Sequence, residues 1–286
     1  MRIPLVLAGV LLLLAGTACG ERAEPTGSLV QVYPVTAQGA GDRPAVVSAV
    51  PRRIVPLGAG PRQILKALGL ERRTVTVNDS LVGLPLVGEI RRARPDLIVA
   101  SNDTDPLDLA RARTATRAAV YVEPVSSLDD VVGAIGDIGL LTNQPIAARR
   151  VTAAIEKSRR TVAAKLGGRP TVTVFVDTGD FSTVSTRSLL GDLIHEAHGQ
   201  SIAGPSPEPG PFPLSRLQQL DPEVYIATSD SGRTLEGLRS HAGTKRLRAI
   251  RDKRFGIVST NTAIAGPGVG QALAEIAQIL HPDAFR

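Results

Sequence analysis

The sequence predicts an α/β fold of two α/β lobes joined by a single long helix. Three observations predict it. Short apolar runs alternate with helical patterns in both halves of the chain, the rhythm of parallel strands and crossover helices. The rhythm stops once, between 127 and 168, where helix-start and helix-stop signals occur without a strand. It restarts at "PTVTVFVDTG", and 286 residues at 43% hydrophobic and 21% charged suffice for two soluble lobes of ordinary size.

The elements follow in order. "MRIPLVLAGVLLLLAGTAC" has one arginine, an apolar run and then small residues, the three-part plan of a secretory signal. It is shorter than the roughly 20 apolar residues of a membrane span. Residues 1–18 are read as a signal peptide and 19–29 as a polar tether. The single cysteine, Cys19, has no disulfide partner in this chain, and its position after Gly16, Thr17 and Ala18 resembles a bacterial lipobox. The resemblance implies a lipidated Cys19 that anchors the protein to the outer face of the cell membrane. Gly16 departs from the pattern, which usually has an aliphatic residue there.

The N-terminal lobe spans 30–126. Alternating apolar residues around "QGAGD" predict a hairpin, followed by a buried strand at Arg53–Leu57. "PRQILKALGL" reads as a helix, "TVTVND" as the next strand, then "RPDLIVAS", the helix "DPLDLARARTAT" and the strand "AAVYVEP". The linker, 127–168, begins with Ser127 as N-cap ahead of Asp129 and Asp130. A second helix over Gln144–Leu166, opened by Asn143 and Pro145 and closed by Gly167-Gly168, would be about 33 Å long. The C-terminal lobe, 169–286, runs through "TRSLLGDLIHEAHG", "FPLSRLQQLDPEVYIATS", "GTKRLRAIRDKRFGIVST" and "GVGQALAEIAQIL". One helical connection predicts small motion between the lobes.

Charge and motifs exclude several classes. The net charge of +6 comes mainly from scattered arginines with 3% aromatics, which reads as solvated surface rather than a nucleic-acid interface. His195 and His198 share a helix face but lack the spacing of a catalytic zinc site, and no other histidines join them. There is no "GxSxG" around the serines near Ser182 and Ser185, and "DTGDF" reads as a strand-end loop. The glycines of "AGPGVG" lack the lysine and Ser/Thr of an ATP-binding loop. No metal, cofactor or enzymatic activity is expected.

Taken together, "RRIVPLGAGPRQILKALGL", "RPDLIVAS", "SSLDDVVGAIGDIGLLTNQPIAARR", "LLGDLIHEAHGQSIAG", "LQQLDPEVYIATS", "RFGIVST" and "GPGVGQALAEIAQILHPDAF" resemble the helical-backbone (class III) solute-binding proteins of bacterial ABC importers for ferric siderophores, haem and cobalamin. The resemblance covers about residues 30–285. It implies a monomeric, non-enzymatic, extracytoplasmic protein that captures a small molecule, a ferric chelate above the others, in an interlobe cleft and presents it to a permease. An alternative keeps the binding fold for a sensory or interaction role without a standard permease.

Parallel α/β sheets place their ligand loops at the carboxyl ends of the strands. In the N-lobe this selects Gly58, Ala59, Gly60, Asn102 and Asp103. In the C-lobe it selects Thr178, Phe181, Ser185, Arg187 and Asp230, with Phe212 as a second apolar wall. Arg187 suits carboxylate or catecholate oxygens, or alternatively pairs with Asp192 or Glu196.

Three departures from the family stand out. There is no Trp, and Tyr33, Tyr121 and Tyr225 fall in predicted strands, which weakens haem and cobalamin as ligands. The segment after "VG" is short, so Glu89–Arg94 must supply a helix and Glu89 a docking carboxylate. Arg216 occupies the position that the resemblance gives to the second docking glutamate. Val269 likewise stands where the family often has an arginine.

Overall fold

A computed structural model describes residues 32–205 and 211–286, and Val32–Arg286 form one compact unit. The expected signal, tether and Cys19 lie outside the described residues.

The hairpin expected around "QGAGD" is present as β1 (Val35–Ala37) and β2 (Ala45–Val47). Its turn lies on the backbone of Val122, because Gly39 has no side chain to hold it off and Ala40 N donates to Val122 O at 2.8 Å. The chain then forms β3 (Ile54–Leu57), α1 (Ala59–Ala67), α2 (Leu84–Ala93), β4 (Leu97–Ala100), α3 (Pro106–Thr116) and β5 (Ala119–Val122). These strands pair in parallel in the order β3-β4-β5.

Two expectations change here. "TVTVND" is not a strand: Thr74 makes one bridge to Ile54, and the chain then turns away, bringing Asp79 back to the start of α1. The segment Glu89–Arg94 does not build a helix alone, because α2 already starts at Leu84, with Gly88 inside it. Its buried stripe of Leu86, Val87, Ile90 and Ala93 crosses that glycine without a break.

The middle forms α4 (Leu128–Leu141) and α5 (Pro145–Leu166). Ser127 caps α4 through a reciprocal pair, Asp130 N to Ser127 Oγ at 3.1 Å and Ser127 N to Asp130 Oδ2 at 3.0 Å. The 22-residue α5 ends at Gly167, whose φ of 51° is cheap only without a side chain. Next come β6 (Val172–Asp177), α6 (Leu189–Glu196), β7 (Gly199–Ser201), α7 (Leu214–Leu220), β8 (Val224–Thr228), α8 (Leu235–Ser240), α9 (Arg248–Arg251), β9 (Phe255–Val258) and α10 (Val269–Leu280). The second sheet is also parallel, in the order β7-β6-β8-β9.

Strand alternation sorts the core into three parts. One face of each sheet, through Ile54, Leu97 and Val99 in the first and Val174, Val176 and Ile226 in the second, joins a common core with α4, α5 and α10. The opposite face of the first sheet, with Val55, Ile98 and Val120, packs on α2 and α3. The opposite face of the second carries Phe175 and Tyr225 onto α7, α8 and α9. Helices thus cover both faces of both sheets, as all-parallel sheets require. The helix α10 lies close on α5 because Gly270 faces Ile155 and Ser158. Val269, which stands where the resemblance often gives an arginine, is fully buried in this contact.

Tyr33 precedes β1 rather than lying in a strand, while Tyr121 and Tyr225 are in strands as expected. No helix of the described residues is long and apolar enough to cross a membrane.

Candidate functional site

The carboxyl ends of β3, β5 and β9 converge on one seam. Gly58, directly after β3, has a φ of 105° and begins α1 without a side-chain cap. Its N–H is bonded instead to Asp79 Oδ2 at 2.8 Å, and Arg62 Nη1 reaches the same oxygen at 2.5 Å. Burial pushes the Asp79 carboxyl up, but these two donors outweigh it and hold the group below its usual range. Asp79 therefore fixes the strand-to-helix turn that presents Ala59 and Gly60. Spacing alone did not single it out, because it lies 21 positions away in a segment expected to be a strand.

Gly60 is where the two lobes touch. A methyl group on its Cα would overlap the carbonyl oxygen of Ala265, in the loop between β9 and α10. Beside it Gln63 Nε2 donates to Asn261 O at 3.3 Å. The glycine-rich loop "AGPGVG" thus packs against the start of α1, with Gly266 facing Gln63.

Glu123, the residue after β5, lies at the same place and was not among the expected site residues. It is 1% exposed, and neither carboxylate oxygen has a hydrogen-bond partner. Its Oε2 comes within 3.0 Å of the position that a Cβ on Gly60 would take. Burial, helped by the nearby Asp103 charge, pushes its pKa up to about 8. The available signal in sequence was an acidic residue placed directly after an apolar strand, in "AVYVEP".

Asn102 and Asp103 follow β4 and are exposed. Asp103 shares a cavity of about 180 Å³ with Gly58 and Asp79, whereas Asn102 lines a separate cavity of about 470 Å³ under the hairpin, with Leu109, Arg113 and Val122.

In the C-lobe, Thr178 and Phe181 belong to one tight turn. Thr178 N and Oγ1 both reach Ser182 O, at 2.9 and 3.2 Å, and Asp180 and Phe181 both have positive φ, 49° and 60°. Two consecutive non-glycine residues in that region are strained. Asp177 holds them: its Oδ1 accepts from Gly179 N at 2.8 Å and Phe181 N at 3.1 Å, and its Oδ2 from Tyr225 OH at 2.6 Å and Arg233 Nε at 2.8 Å. The Arg233 guanidinium also lies 4.2 Å over the Phe181 ring.

The remaining expected residues fall in different settings. The Ser185 hydroxyl donates to Pro205 O at 2.7 Å and accepts from Arg187 N at 3.0 Å, which shapes the entry to α6. Arg187 is exposed, and it is not paired with either acid considered for it. Asp192 instead accepts from Leu128 N at 2.8 Å, and Glu196 binds Arg159. Phe212 is a correction: it is 6% exposed and packs on Phe175 at 5.4 Å between ring centres, so it forms core rather than a cleft wall. Asp230 is exposed and accepts from Ser229 Oγ at 3.1 Å, and Ser229 also reaches Thr260.

Glu89 lies on α2 in an ion pair with Arg92. Arg216 lies on α7 with its guanidinium 5.5 Å over the Phe212 ring. Among the described residues no group of three or more His, Cys, Asp or Glu could hold a metal ion.

No protein-family model matches the chain. An uncharacterised ABC transporter substrate-binding lipoprotein of Bacillus subtilis, YvrC, is 20% identical over 99% of this chain and 96% of its own length. A cobalamin-binding protein of Halobacterium salinarum is 25% identical over 68% of this chain and 56% of its own. Among solved structures, Helicobacter pylori CeuE with Ni(II) bound covers 88% of this chain and 90% of its own at a TM-score of 0.76 and 14% identity. A protein described as an Fe3+-hydroxamate transport system from Saccharomonospora viridis covers 86% and 99% at 0.68 and 16%. The backbone fold is thus that of two-lobed periplasmic binding proteins.

Proposed function

We propose that this chain, which belongs by fold and full-length sequence likeness to the helical-backbone class III solute-binding proteins, is the extracytoplasmic substrate-binding protein of an ABC importer. The observation that carries the reading is the convergence of β3, β5 and β9 on one seam, where Gly60 meets Ala265 across the two lobes. Ligands of open α/β sheets bind outside the carboxyl ends of the strands. The protein captures and releases rather than transforms its ligand.

The ligand is a ferric siderophore or similar metal chelate. Of the similar proteins, one is described as cobalamin-binding, one structure has Ni(II) bound and one is described as an Fe3+-hydroxamate transport system, all metal-bearing. The tyrosines argue against haem held through a phenolate. Tyr121 OH is bonded to Asp137 at 2.9 Å and Tyr225 OH to Asp177 at 2.6 Å, and burial pushes both phenols far above their usual range. Gly58, Ala59, Asn102 and Asp103 on one rim and Thr178, Phe181, Arg187 and Asp230 on the other are the proposed contacts, with lipidated Cys19 as the anchor. A thermal-shift series with ferric siderophores, cobalamin and haem tests this: saturable stabilisation by a ferric chelate is expected. No shift with any of them at concentrations well above micromolar would remove the reading.

One observation favours a second reading. Arg216 is held on Phe212 at the position where the resemblance implies a carboxylate, and Glu89 is occupied by Arg92. A sensory or interaction role without a standard permease fits those charges. Co-purification of a permease that is lost in a Glu89→Ala/Arg216→Ala double variant would exclude it.

A further inference from the structure

Among the described residues Glu123 is set apart by deep burial with no hydrogen-bond partner on either carboxylate oxygen. Its 1% exposure denies it solvent, and neither oxygen has a hydrogen bond. A buried polar group left unpaired costs about 1–3 kcal/mol, and such groups are few in folded proteins, so each calls for a physical reason. Its surroundings show what it lacks. The loop packed against it, residues 259–268, contains no titratable side chain; of the two cations of α1, Arg62 is bonded to Asp79 and Lys66 is exposed in the last turn; and the charge that bears on it is the like charge of Asp103.

We propose that Glu123 is the cleft-floor contact for a cationic or N–H-donating group of the ligand, reached when the seam between Gly60 and Ala265 parts. The inference rests on the interlobe seam being the chelate site. It adds a substrate class: chelates that carry an ammonium or comparable donor, in preference to uniformly anionic ones. The carboxylate supplies acceptors alone when ionised, and the carbonyl oxygen of Ala265 beside it is a further acceptor. Both favour a donor. Because burial holds the acid protonated to about pH 8, docking of a cation drives a proton off Glu123, and affinity for a cationic ligand rises with pH up to that point.

The test uses the full-length protein and two probes. One is a ferric trihydroxamate with a pendant ammonium group; the other is the same chelate with that amine acetylated. Titration calorimetry should show the charged form bound at least about tenfold more tightly, the worth of one hydrogen bond to a charged group. That preference should grow between about pH 6 and pH 8 and vanish in Glu123→Gln, with the acetylated chelate bound equally by both proteins. Thermal unfolding of the variant checks that it is folded. Equal binding of the two chelates by the parent protein, or an unchanged preference in folded Glu123→Gln, overturns the inference and leaves the cleft reading standing. Binding of neither chelate overturns both.

Discussion

Two buried acids end neighbouring stretches of the molecule, and they are treated in opposite ways. Asp177, last in β6, is fully buried and accepts four hydrogen bonds, from two backbone amides, a tyrosine and an arginine. Glu123, next after β5, is as deeply buried and accepts none. Both lie at the carboxyl ends of strands of parallel sheets, so topology alone does not distinguish them. The difference is whether the surrounding chain completes the site. Asp177 is completed from within its own lobe, so it fixes the turn 178–182, whereas Glu123 faces a seam between lobes and is left for something from outside.

The sharpest way to break the comparison is Asp177→Asn. It removes the buried carboxylate that Arg233 pairs with and leaves that guanidinium only Asp180 at 3.9 Å, so about 3–5 kcal/mol of stability is expected to go, seen as a drop of roughly 10 °C in the melting temperature. The turn carrying Thr178 and Phe181 should lose its protection in hydrogen exchange.

The mirror change, Glu123→Gln, should stabilise rather than destabilise. Glu123 has a folded pKa of about 8 against an ordinary 4.5. Its contribution is therefore fully present below about pH 4.5 and is lost as pH rises toward 8. The variant should gain on the order of 1–3 kcal/mol relative to the parent at pH 8 and little at pH 4, measured by chemical denaturation at both. A stability loss at pH 8 would show that Glu123 has a structural partner after all, like Asp177.

Gly60→Ala tests the seam itself. A methyl there overlaps Ala265 O, so the lobes must separate or tilt. A cost of about 1–2 kcal/mol and a larger radius of gyration in solution scattering are expected. The smallest effect belongs to Arg159→Ala. Arg159 of α5 links Asp129 of α4 to Glu196 of α6, at 2.7 and 2.5 Å, but it is partly exposed. About 1 kcal/mol is expected, diminishing in high salt.

Much of the fold was legible because local rules carried it. The capping box at Ser127 and Asp130, the glycine stop at Gly167 and the buried runs "LIVA" and "VTVFVD" are decided within a turn or a strand. The errors lie where tertiary contact decides. "TVTVND" alternates like a strand but has room for one bridge before Asp79 is needed at Gly58. Glu89–Arg94 looked like a helix to be built alone, yet the stripe on either side of Gly88 packs α2 as one piece from Leu84. Phe212 was expected to line the cleft because aromatics are scarce; Phe175, 37 positions away in sequence, takes it into the core.

By itself, then, the sequence determined the two parallel sheets, the long central helix and the strand ends where a ligand site belongs. Periodicity, caps and turn residues are local signals, and each acts within a few residues of itself. Only the tertiary structure decided which of the strand-end residues meet. Glu123, Gly60 and Ala265 are separated by 63 and 142 positions, and nothing in their neighbourhoods announces that they touch. Desolvation is a property of that meeting. It turns one glutamate among 27 acidic residues into the buried acid on which the site now centres.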